Sequence, residues 1–399
     1  MKKSTYLIIE GIISFGFLKN NLLPFINNDI LLLLALAWNF WGFFYFKGNG
    51  VLYTTKNITW VLSIMLVFFL CTLYPTFHYW QPYLSTLVAM RANLIVLFLL
   101  TLLKISPSEE EFIYSFKVLA YIALVFGVLA FTFPFLFVSK EDILRLIQRQ
   151  KTGSSDILTI WPGSACAVFY FYILLQNMIN KKALKSIVLC TIFMLYIVLM
   201  QNRSTLLCAA PFYFYGLIKT DFRYKYIFIS VVVFALGVYT YSIFDSLIDE
   251  TIKDLSNDKY NRWQSMEYFM SVERYDLLTF LFGHGIPASD SAYLHEMRSM
   301  FNPALNRFVI ISDIGLFGSM YFYGIILILI LYRFIFKAIF IKQMPMYLKF
   351  YAIWILLVPT IHSFAINQNF SGTMKFLIFI YLVLLNEQYL QNGQSNIDQ

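Results

Sequence analysis

Apolar residues in this chain come in blocks of 16 to 27 residues that are hydrophobic on all sides. A helix rises about 1.5 Å per residue, so about 20 apolar residues cross the hydrocarbon core of a membrane. We therefore predict an all-α fold, a polytopic integral membrane helical bundle with about twelve transmembrane helices. The twelve predicted spans are residues 4–20, 28–46, 58–74, 84–103, 112–138, 160–179, 185–201, 204–219, 226–244, 307–332, 348–366 and 371–390.

The connections between these blocks are short, with one exception. Residues 245–306 form a polar stretch far longer than the few residues that usually join two helices. We expect a single integral membrane domain over residues 1–399, with 245–306 as a large loop within it. This loop begins acidic, and apolar residues after Arg262 and Trp263 recur close to helical spacing, which predicts a helix that rests on the membrane surface.

Composition supports a membrane protein and argues against a soluble enzyme. Hydrophobic residues make up 59% of the chain and charged residues 13%, against about 25% charged residues in a typical soluble domain. The net charge of +8 comes from Lys and Arg placed between apolar blocks. We therefore expect membrane lipids as surroundings and no nucleic acid as a partner.

The distribution of Lys and Arg predicts the orientation. With the N-terminus in the cytoplasm, the inward connections carry half of the basic residues, and the short outward loops 75–83 and 362–370 carry none. Because basic residues favour the cytoplasmic side, we expect an inner (plasma) membrane protein with both termini cytoplasmic and residues 245–306 outside. Met-Lys-Lys leads into the first apolar block without a clear cleavage site, so we expect that block to be retained.

No motif for a metal or a nucleotide is present. The four cysteines, Cys71, Cys166, Cys190 and Cys208, lie inside apolar blocks without metal-ligand spacing. The sequence contains no HExxH motif, no phosphate loop with a Lys and no GxSxG elbow. We expect no metal and no cofactor, and an ATP-driven pump is disfavoured.

Two arginines in or beside predicted spans indicate an anionic ligand. Arg91 lies within an apolar block, where a charge costs about 2.5–3.5 kcal/mol at mid-membrane. Three arrangements would relieve this cost: a contact with an anion in a wet cavity, pairing with another helix, or extension of the side chain to the membrane surface (snorkelling). Arg203 follows a span at a tight turn rich in polar residues. An Arg beside a helix N-terminus suits a phosphate, and the alternative is an interface anchor.

Further arginines lie in the outward connections. Arg145 and Arg149 belong to a short loop that is basic despite its predicted outward side, which indicates an anionic ligand or attraction to anionic lipid headgroups. Arg262 begins the predicted surface helix, and Arg307 lies at the outer end of the tenth span. We expect these four side chains to help bind a charged substrate.

Histidines and carboxylates of the long loop are candidates for acid–base chemistry. An imidazole has an unperturbed pKa of about 6.5, close to what a general base needs near neutrality. We rank His295 first as the base and keep Asp290 and Asp313 as competitors, with Glu296 as a similarly placed carboxylate. His284, between two glycines in a predicted turn, is assigned to substrate binding, although a lone loop histidine is more often an ordinary polar residue.

Four short stretches resemble O-antigen polymerases of the Wzy type and the related O-antigen ligases. They are QNRST at 201–205, NRWQSMEYF at 261–269, FGHG at 282–285 and NRFVIISDIGLFG at 306–318. Many spans with short loops and one long outward loop late in the chain are also similar to that family. Ligases usually carry a His-Asn pair about ten residues before the last glycines, where this chain has PALNRF; the polymerase is therefore favoured.

The resemblance implies a glycosyltransferase-type polymerase that joins oligosaccharide repeat units into O-antigen or a related surface polysaccharide. Its substrate is an undecaprenyl-diphosphate-linked oligosaccharide, and its implied partners are other glycan-assembly proteins, a chain-length regulator among them. Arginines bind the diphosphate leaving group, and a base deprotonates the attacking hydroxyl. Three alternatives stay open: an O-antigen ligase, a lipid-linked sugar flippase or secondary transporter, and a non-catalytic partner in envelope assembly.

Overall fold

The computed structural model describes residues 1–19, 23, 25–47, 50–133, 163–181, 184–200, 203–220, 261–289, 291–299, 301–302, 307–308, 314–361 and 370–395. Helices dominate this part of the chain, as predicted. They are α1 Lys3–Ser14, α2 Asn28–Tyr45, α3 Thr55–His78, α4 Tyr83–Ala89, α5 Leu97–Ile105, α6 Glu109–Thr132, α7 Ser164–Lys181, α8 Leu184–Leu199, α9 Arg203–Lys219, α10 Asn261–Phe269, α11 Leu277–Phe282, α12 Ala292–Ser299, α13 Gly315–Phe340, α14 Met346–Ile361 and α15 Phe370–Ser395.

Four short elements complete the described part of the chain. Two 3₁₀ turns, Arg91–Val96 and Val272–Arg274, precede α5 and α11. Strands β1 Phe301–Asn302 and β2 Arg307–Phe308 form an antiparallel two-residue ladder, in which Asn302 faces Arg307. This ladder is the one departure from the predicted all-α class among the described residues.

Four helices in the described part are long and apolar enough to cross a membrane: Thr55–His78, Glu109–Ala130, Gly315–Phe340 and Gly372–Asn392. A fifth span results if the bent pair Tyr83–Ala89 and Arg91–Ile105 is counted as one. Helices overlap eleven of the twelve predicted spans, but several are shorter, such as α1 with 12 residues, and the helix of the tenth span begins at Gly315 instead of residue 307. The predicted span 226–244 lies outside the described residues, so the number twelve stays a prediction.

The chain divides into two compact units. The first comprises residues Met1–Leu31 and Glu110–Asp258. Its core is aromatic: the ring of Phe116 lies 6.1 Å from that of Phe15 and 4.7 Å from that of Phe169. A hydrogen bond of 2.7 Å between Thr191 and Tyr213 joins α8 to α9.

The second unit comprises residues Leu32–Glu109 and Lys259–Gln399 and is built around α3 and α13. One end of this unit is basic. Arg333 lies 4.6 Å above the ring of Trp60, near the start of α3. Lys337, one turn further along α13, pairs with Glu387 at 2.7 Å. Lys104 lies 4.0 Å above Phe43, and its carbonyl accepts a bond from Gly50 just before α3.

Two helices of the second unit are interrupted, and the interruptions meet. Residues 83–105 bend by 57° at Met90, and α13 breaks at Gly324 (φ 75°, ψ 174°), a backbone conformation open essentially only to glycine. The Tyr323 hydroxyl donates to Asn93 Oδ1 at 3.2 Å, so the two breaks are hydrogen-bonded to each other. Broken helices are tolerated in membranes where other protein groups satisfy the freed backbone.

Candidate functional site

Residues 261–289 pack onto the end of the second unit where α3 finishes. The expected helix after Arg262 is present as α10, and its last residue, Phe269, is fully buried with its ring 5.1 Å from that of Tyr321. Asp276 caps α11 through its carboxylate, which accepts from the Thr279 backbone at 2.7 Å. These bonds lower the pKa of Asp276. The segment is thus anchored at both its helices.

In the turn that follows α11, the backbone of residues 283–285 packs directly against the backbone of α13 at its break. Gly283 and Gly285 have positive φ values, as the FGHG pattern predicts for a turn. The amides of His284 and Gly285 donate to the carbonyls of Tyr321 and Phe322 at 2.7 and 2.9 Å. A Cβ on Gly283 would collide with the backbone of Phe322, so only glycine permits this approach.

A proline in α3 helps to accommodate the same turn. Pro75 lacks the amide hydrogen that would bond to the Cys71 carbonyl within the helix. Gly285 packs against that carbonyl and the Pro75 ring, where a Cβ would collide with both. The Cys71 thiol donates to the Phe282 carbonyl. The two helices and the turn therefore form one tightly packed crossing.

His284 is buried at this crossing, with 2% of its surface exposed. Its ring stacks on Tyr321 at 4.1 Å and meets the edges of Tyr74 and Tyr275 at 5.1 and 5.2 Å. Nε2 lies 2.8 Å from the Arg274 carbonyl and Nδ1 lies 3.2 Å from the Tyr321 carbonyl. The Tyr321 carbonyl already accepts the His284 amide, so we assign the ring proton to Nε2.

Burial lowers the pKa of His284 below its usual value, and the two carbonyl partners offset part of this effect. The imidazole is therefore neutral at pH 7. Both ring nitrogens face backbone carbonyls in this geometry. It suits a residue that positions Arg274, while its predicted role in substrate binding stays a prediction.

Three tyrosines contact His284, and two more extend this group through Tyr74 and Gly285. Together they form what we call the tyrosine cluster: Tyr74, Tyr79, Tyr275, Tyr293 and Tyr321. Tyr79 stacks on Tyr293 at 4.2 Å, and the Tyr293 hydroxyl donates to the Gly285 carbonyl at 3.2 Å. Burial raises the pKa of Tyr79 and Tyr293, so both phenols keep their protons at neutral pH. Tyr293 and Tyr321 are fully buried, whereas Tyr74, Tyr79 and Tyr275 are partly exposed, so only these three offer a ligand the aromatic and hydroxyl surface that suits a sugar.

An ion pair lies at the edge of the tyrosine cluster. Arg274 Nη1 is 3.4 Å from Glu296 Oε1, and the two side chains are 26% and 46% exposed. The guanidinium lies 3.7 Å above the ring of Tyr268, so its plane is held in place. An Arg–carboxylate pair with this exposure offers both donors and acceptors to a polar ligand.

The structure places some of the predicted residues near this site and others elsewhere. His295 is exposed on α12 beside Glu296, and Arg262 belongs to α10. Arg307 stands in β2 opposite Asn302. Arg91 lies at the bend of residues 83–105, where it is exposed and its Nη1 donates to the Val88 carbonyl at 2.6 Å.

Other predicted residues lie apart from this site or outside the described chain. Arg203 is the first residue of α9 and belongs to the first unit, and its role in binding a phosphate stays a prediction. Four predicted residues lie outside the described residues: Arg145, Arg149, Asp290 and Asp313. Their assigned roles remain untested expectations.

Sequence reasoning missed Arg274 and the tyrosine cluster. Arg274 and Glu296 are 22 residues apart, a spacing that indicates no motif. A usable signal was the density of aromatic residues in YPTFHYW at 74–80, next to an outward loop without basic residues. In the described part of the chain no group of three His, Cys, Asp or Glu residues is placed to hold a metal.

The comparisons with known proteins do not assign a family. No protein-family model matches the sequence, and none of the curated proteins matches it. The likeness to O-antigen polymerases therefore depends on the four short stretches and the predicted topology.

Proposed function

We propose that this chain polymerises lipid-linked oligosaccharide repeat units on the outer side of the inner membrane. The donor is an oligosaccharide on undecaprenyl diphosphate, and the product is O-antigen or a related surface polysaccharide. The observation that carries the proposal is the position of the Arg274–Glu296 pair and the tyrosine cluster. They lie beside two interrupted helices, at the end of the second unit opposite its basic residues. Since basic residues favour the cytoplasm, this end is expected to face outward.

In this reaction the acceptor hydroxyl attacks the anomeric carbon of the donor sugar. The new glycosidic bond forms, the bond from the anomeric carbon to the diphosphate breaks, and the hydroxyl proton passes to a base. We assign the base to His295, with Asp290 and Asp313 as competitors. Arg91, Arg203, Arg262 and Arg307 neutralise the departing lipid diphosphate, with Arg145 and Arg149 in support.

The tyrosine cluster and the ion pair receive a separate role. Glu296 is held by Arg274 and remains half exposed, so its carboxylate suits hydrogen bonds from sugar hydroxyls better than proton abstraction. Tyr268 and Tyr79 offer aromatic faces beside it. We therefore place the acceptor sugar here.

A reconstituted assay tests the proposal. Purified protein in lipid nanodiscs is mixed with the lipid-linked repeat unit isolated from its own cells, and the products are resolved by mass. A ladder of products, each one repeat longer than the last, is expected. Glu296→Gln should weaken acceptor use, seen as a raised apparent KM, whereas Glu267→Gln on the exposed face of α10 should not. The absence of any ladder with intact protein and active substrate contradicts the proposal.

A second candidate function is transport of the same lipid-linked sugar. The interrupted helices favour it, because secondary transporters bind substrates where discontinuous helices meet near the membrane midplane. Here the breaks at Met90 and Gly324 are joined by the Tyr323–Asn93 bond. Reconstituted vesicles distinguish the two: a transporter moves the fluorescent lipid-linked sugar across the bilayer without lengthening it.

A further inference from the structure

Residues 276–287 run along α3 away from its C-terminal end, turn at residues 282–285 and run back toward that end. At the turn, the Phe282 carbonyl accepts from Cys71, which lies seven residues before the end of α3 at His78. On the return, the Gln81 side chain bonds to the Ile286 carbonyl and the Ala288 amide at 3.4 and 2.9 Å. At about 1.5 Å per residue, the turn lies roughly 10 Å below the end of α3.

The other helix at the crossing gives a similar depth. Gly324 lies nine residues after Gly315, the first residue of α13, which is roughly 14 Å along the axis. Both helices are among those long and apolar enough to cross a membrane. The turn therefore lies well inside the apolar layer that these spans cross. Exposed Trp80, at the end of α3, suits the lipid–water boundary above it.

The polar backbone groups of the turn are hydrogen-bonded within the protein, as a position inside a membrane requires. Irregular backbone is tolerated there only when its polar groups are satisfied within the protein. The amides of Gly283, His284 and Gly285 donate to carbonyls, and the carbonyl of Gly285 accepts from Tyr293. The side of the segment that faces the protein thus needs no water.

The opposite side of the segment is apolar and exposed. Leu277, Leu278 and Phe280 of α11 are 73%, 63% and 41% exposed, while Thr279 between them is buried. Residues 277–289 contain no Asp, Glu, Lys or Arg. The first charge is Asp276, which caps α11 at its upper end. These three exposed apolar side chains lie on a charge-free segment between the turn and the end of α3, and such a surface is matched by hydrocarbon rather than by water.

We propose that residues 276–287 form a re-entrant hairpin in the membrane, whose side chains Leu277, Leu278 and Phe280 contact the acyl chains of the lipid. The hairpin interrupts the loop 245–306 and fixes the tyrosine cluster at the membrane boundary. This inference does not depend on the enzymatic activity, because it follows from the depth, pairing and polarity of the segment alone.

Spin labels on single cysteines test the proposal in vesicles of phosphatidylglycerol and phosphatidylethanolamine. Cys71, Cys166 and Cys190 are buried, so Cys208→Ser leaves a background of low reactivity. Labels are placed at Leu278→Cys and Phe280→Cys. Leu66→Cys on the exposed side of α3 is the lipid-facing control, and Ser289→Cys is the aqueous control. Power saturation then compares collision with oxygen, which partitions into lipid, and with a water-soluble nickel chelate.

The expected result is that labels at 278 and 280 collide several-fold more with oxygen than with the nickel chelate, as does the label at position 66. At position 289, collisions with the nickel chelate should be the more frequent. Nickel accessibility at 278 and 280 equal to that at 289 overturns the proposal, because the segment then lies in water. Low accessibility to both reagents also overturns it, since another protein surface then covers the segment. Each labelled variant must elute from a sizing column at the same volume as the wild-type protein. Positions 278 and 280 are two separate tests of the same segment.

Discussion

Glycine at three positions allows the candidate site to exist. Gly283, Gly285 and Gly324 all have positive φ values and all meet another backbone or ring where a Cβ would stand. Two separate penalties act at such positions: the strain of a side chain at positive φ and the overlap with the neighbour. Only the second depends on the crossing of α13 by the turn.

Gly16 separates these two penalties. It has a φ of +78° but nothing within 4 Å of a built Cβ. We predict that Gly16→Ala costs about 1–2 kcal/mol from strain alone. Gly283→Ala should cost about 1–3 kcal/mol more, because the methyl group overlaps the Phe322 backbone. Thermal unfolding of both variants in detergent measures the difference, and equal unfolding temperatures contradict the crossing.

His284 makes the stability of the site depend on pH. Its folded-state pKa is lowered by burial, while an unfolded histidine titrates near about 6.5. Below that pH the unfolded chain binds a proton that the folded chain does not, so stability falls as the pH drops from 6.5 toward the folded pKa. Nearby Asp276 moderates this fall and Arg274 strengthens it.

Unfolding temperatures measured between pH 7.5 and 5.5 test this dependence. We predict that wild-type protein loses several degrees over the range and that His284→Gln, less stable at pH 7.5, loses fewer. His295→Gln is the matched control, because His295 is exposed and its replacement should keep the full fall. An unchanged pH dependence in His284→Gln shows that another group titrates.

At the scale of elements, the sequence predicts where helices lie far better than how they break. Uniform apolar blocks indicate helices because a membrane leaves the backbone few other choices. The break at Gly324 carries no such signal, since a glycine inside an apolar block is common in membrane helices. Residues 277–289 form too short an apolar stretch, within the polar loop 245–306, to be predicted as a membrane segment.

The candidate site was predicted even less completely. His284 and His295 were singled out as polar residues in a loop, but their surroundings depend on contacts between distant parts of the chain. Tyr74 and Tyr321 meet His284 only because α3 and α13 pack together. Contacts over such separations leave no local periodicity, so one sequence cannot reveal them.

The bond between the two interrupted helices provides a prediction at this scale. Asn93 is 4% exposed, and its Nδ2 has no hydrogen-bond partner among the described residues. Tyr323→Phe removes the donor to Asn93 Oδ1 and should cost about 1–3 kcal/mol, because a buried polar group is then unsatisfied. Combining it with Asn93→Leu should restore most of the loss, since both partners are then apolar.

Thermal unfolding of the single and double variants in detergent measures this coupling. The exposed Tyr389→Phe is the control and should behave as wild type. Additive losses in the double variant show that the two side chains do not act as a pair.

For the whole molecule, the position of the basic residues predicts orientation. Lys104, Arg333 and Lys337 lie at the end of the second unit where α3 begins, and the tyrosine cluster lies where α3 ends. We predict that a membrane-impermeant maleimide added outside intact cells modifies Ser289→Cys but neither Gln343→Cys nor Lys182→Cys. Ser289 and Gln343 are both exposed, so access to the outside decides the result. The reverse pattern contradicts both the orientation and the proposed function.

The two arginines expected to hold the diphosphate belong to different units of the chain. Arg91 lies at the bend of residues 83–105, and Arg203 begins α9. A guanidinium binds a phosphate group in a bidentate manner. An arginine that contacts the leaving group compensates charge as the glycosidic bond breaks, so its removal leaves that charge uncompensated.

We therefore predict that Arg91→Ala and Arg203→Ala each reduce polymer formation at least 100-fold, about 2.7 kcal/mol in the barrier, while the protein stays at its normal level in the membrane. Lysine at either position should restore activity only partly, because the charge returns without the planar fork. Product ladders from purified variants, normalised to protein amount, provide the measurement.

Lys117→Ala, a basic residue of α6 outside the predicted site, is the control for loss of charge. Full activity of both Ala variants would contradict a contact of either arginine with the diphosphate.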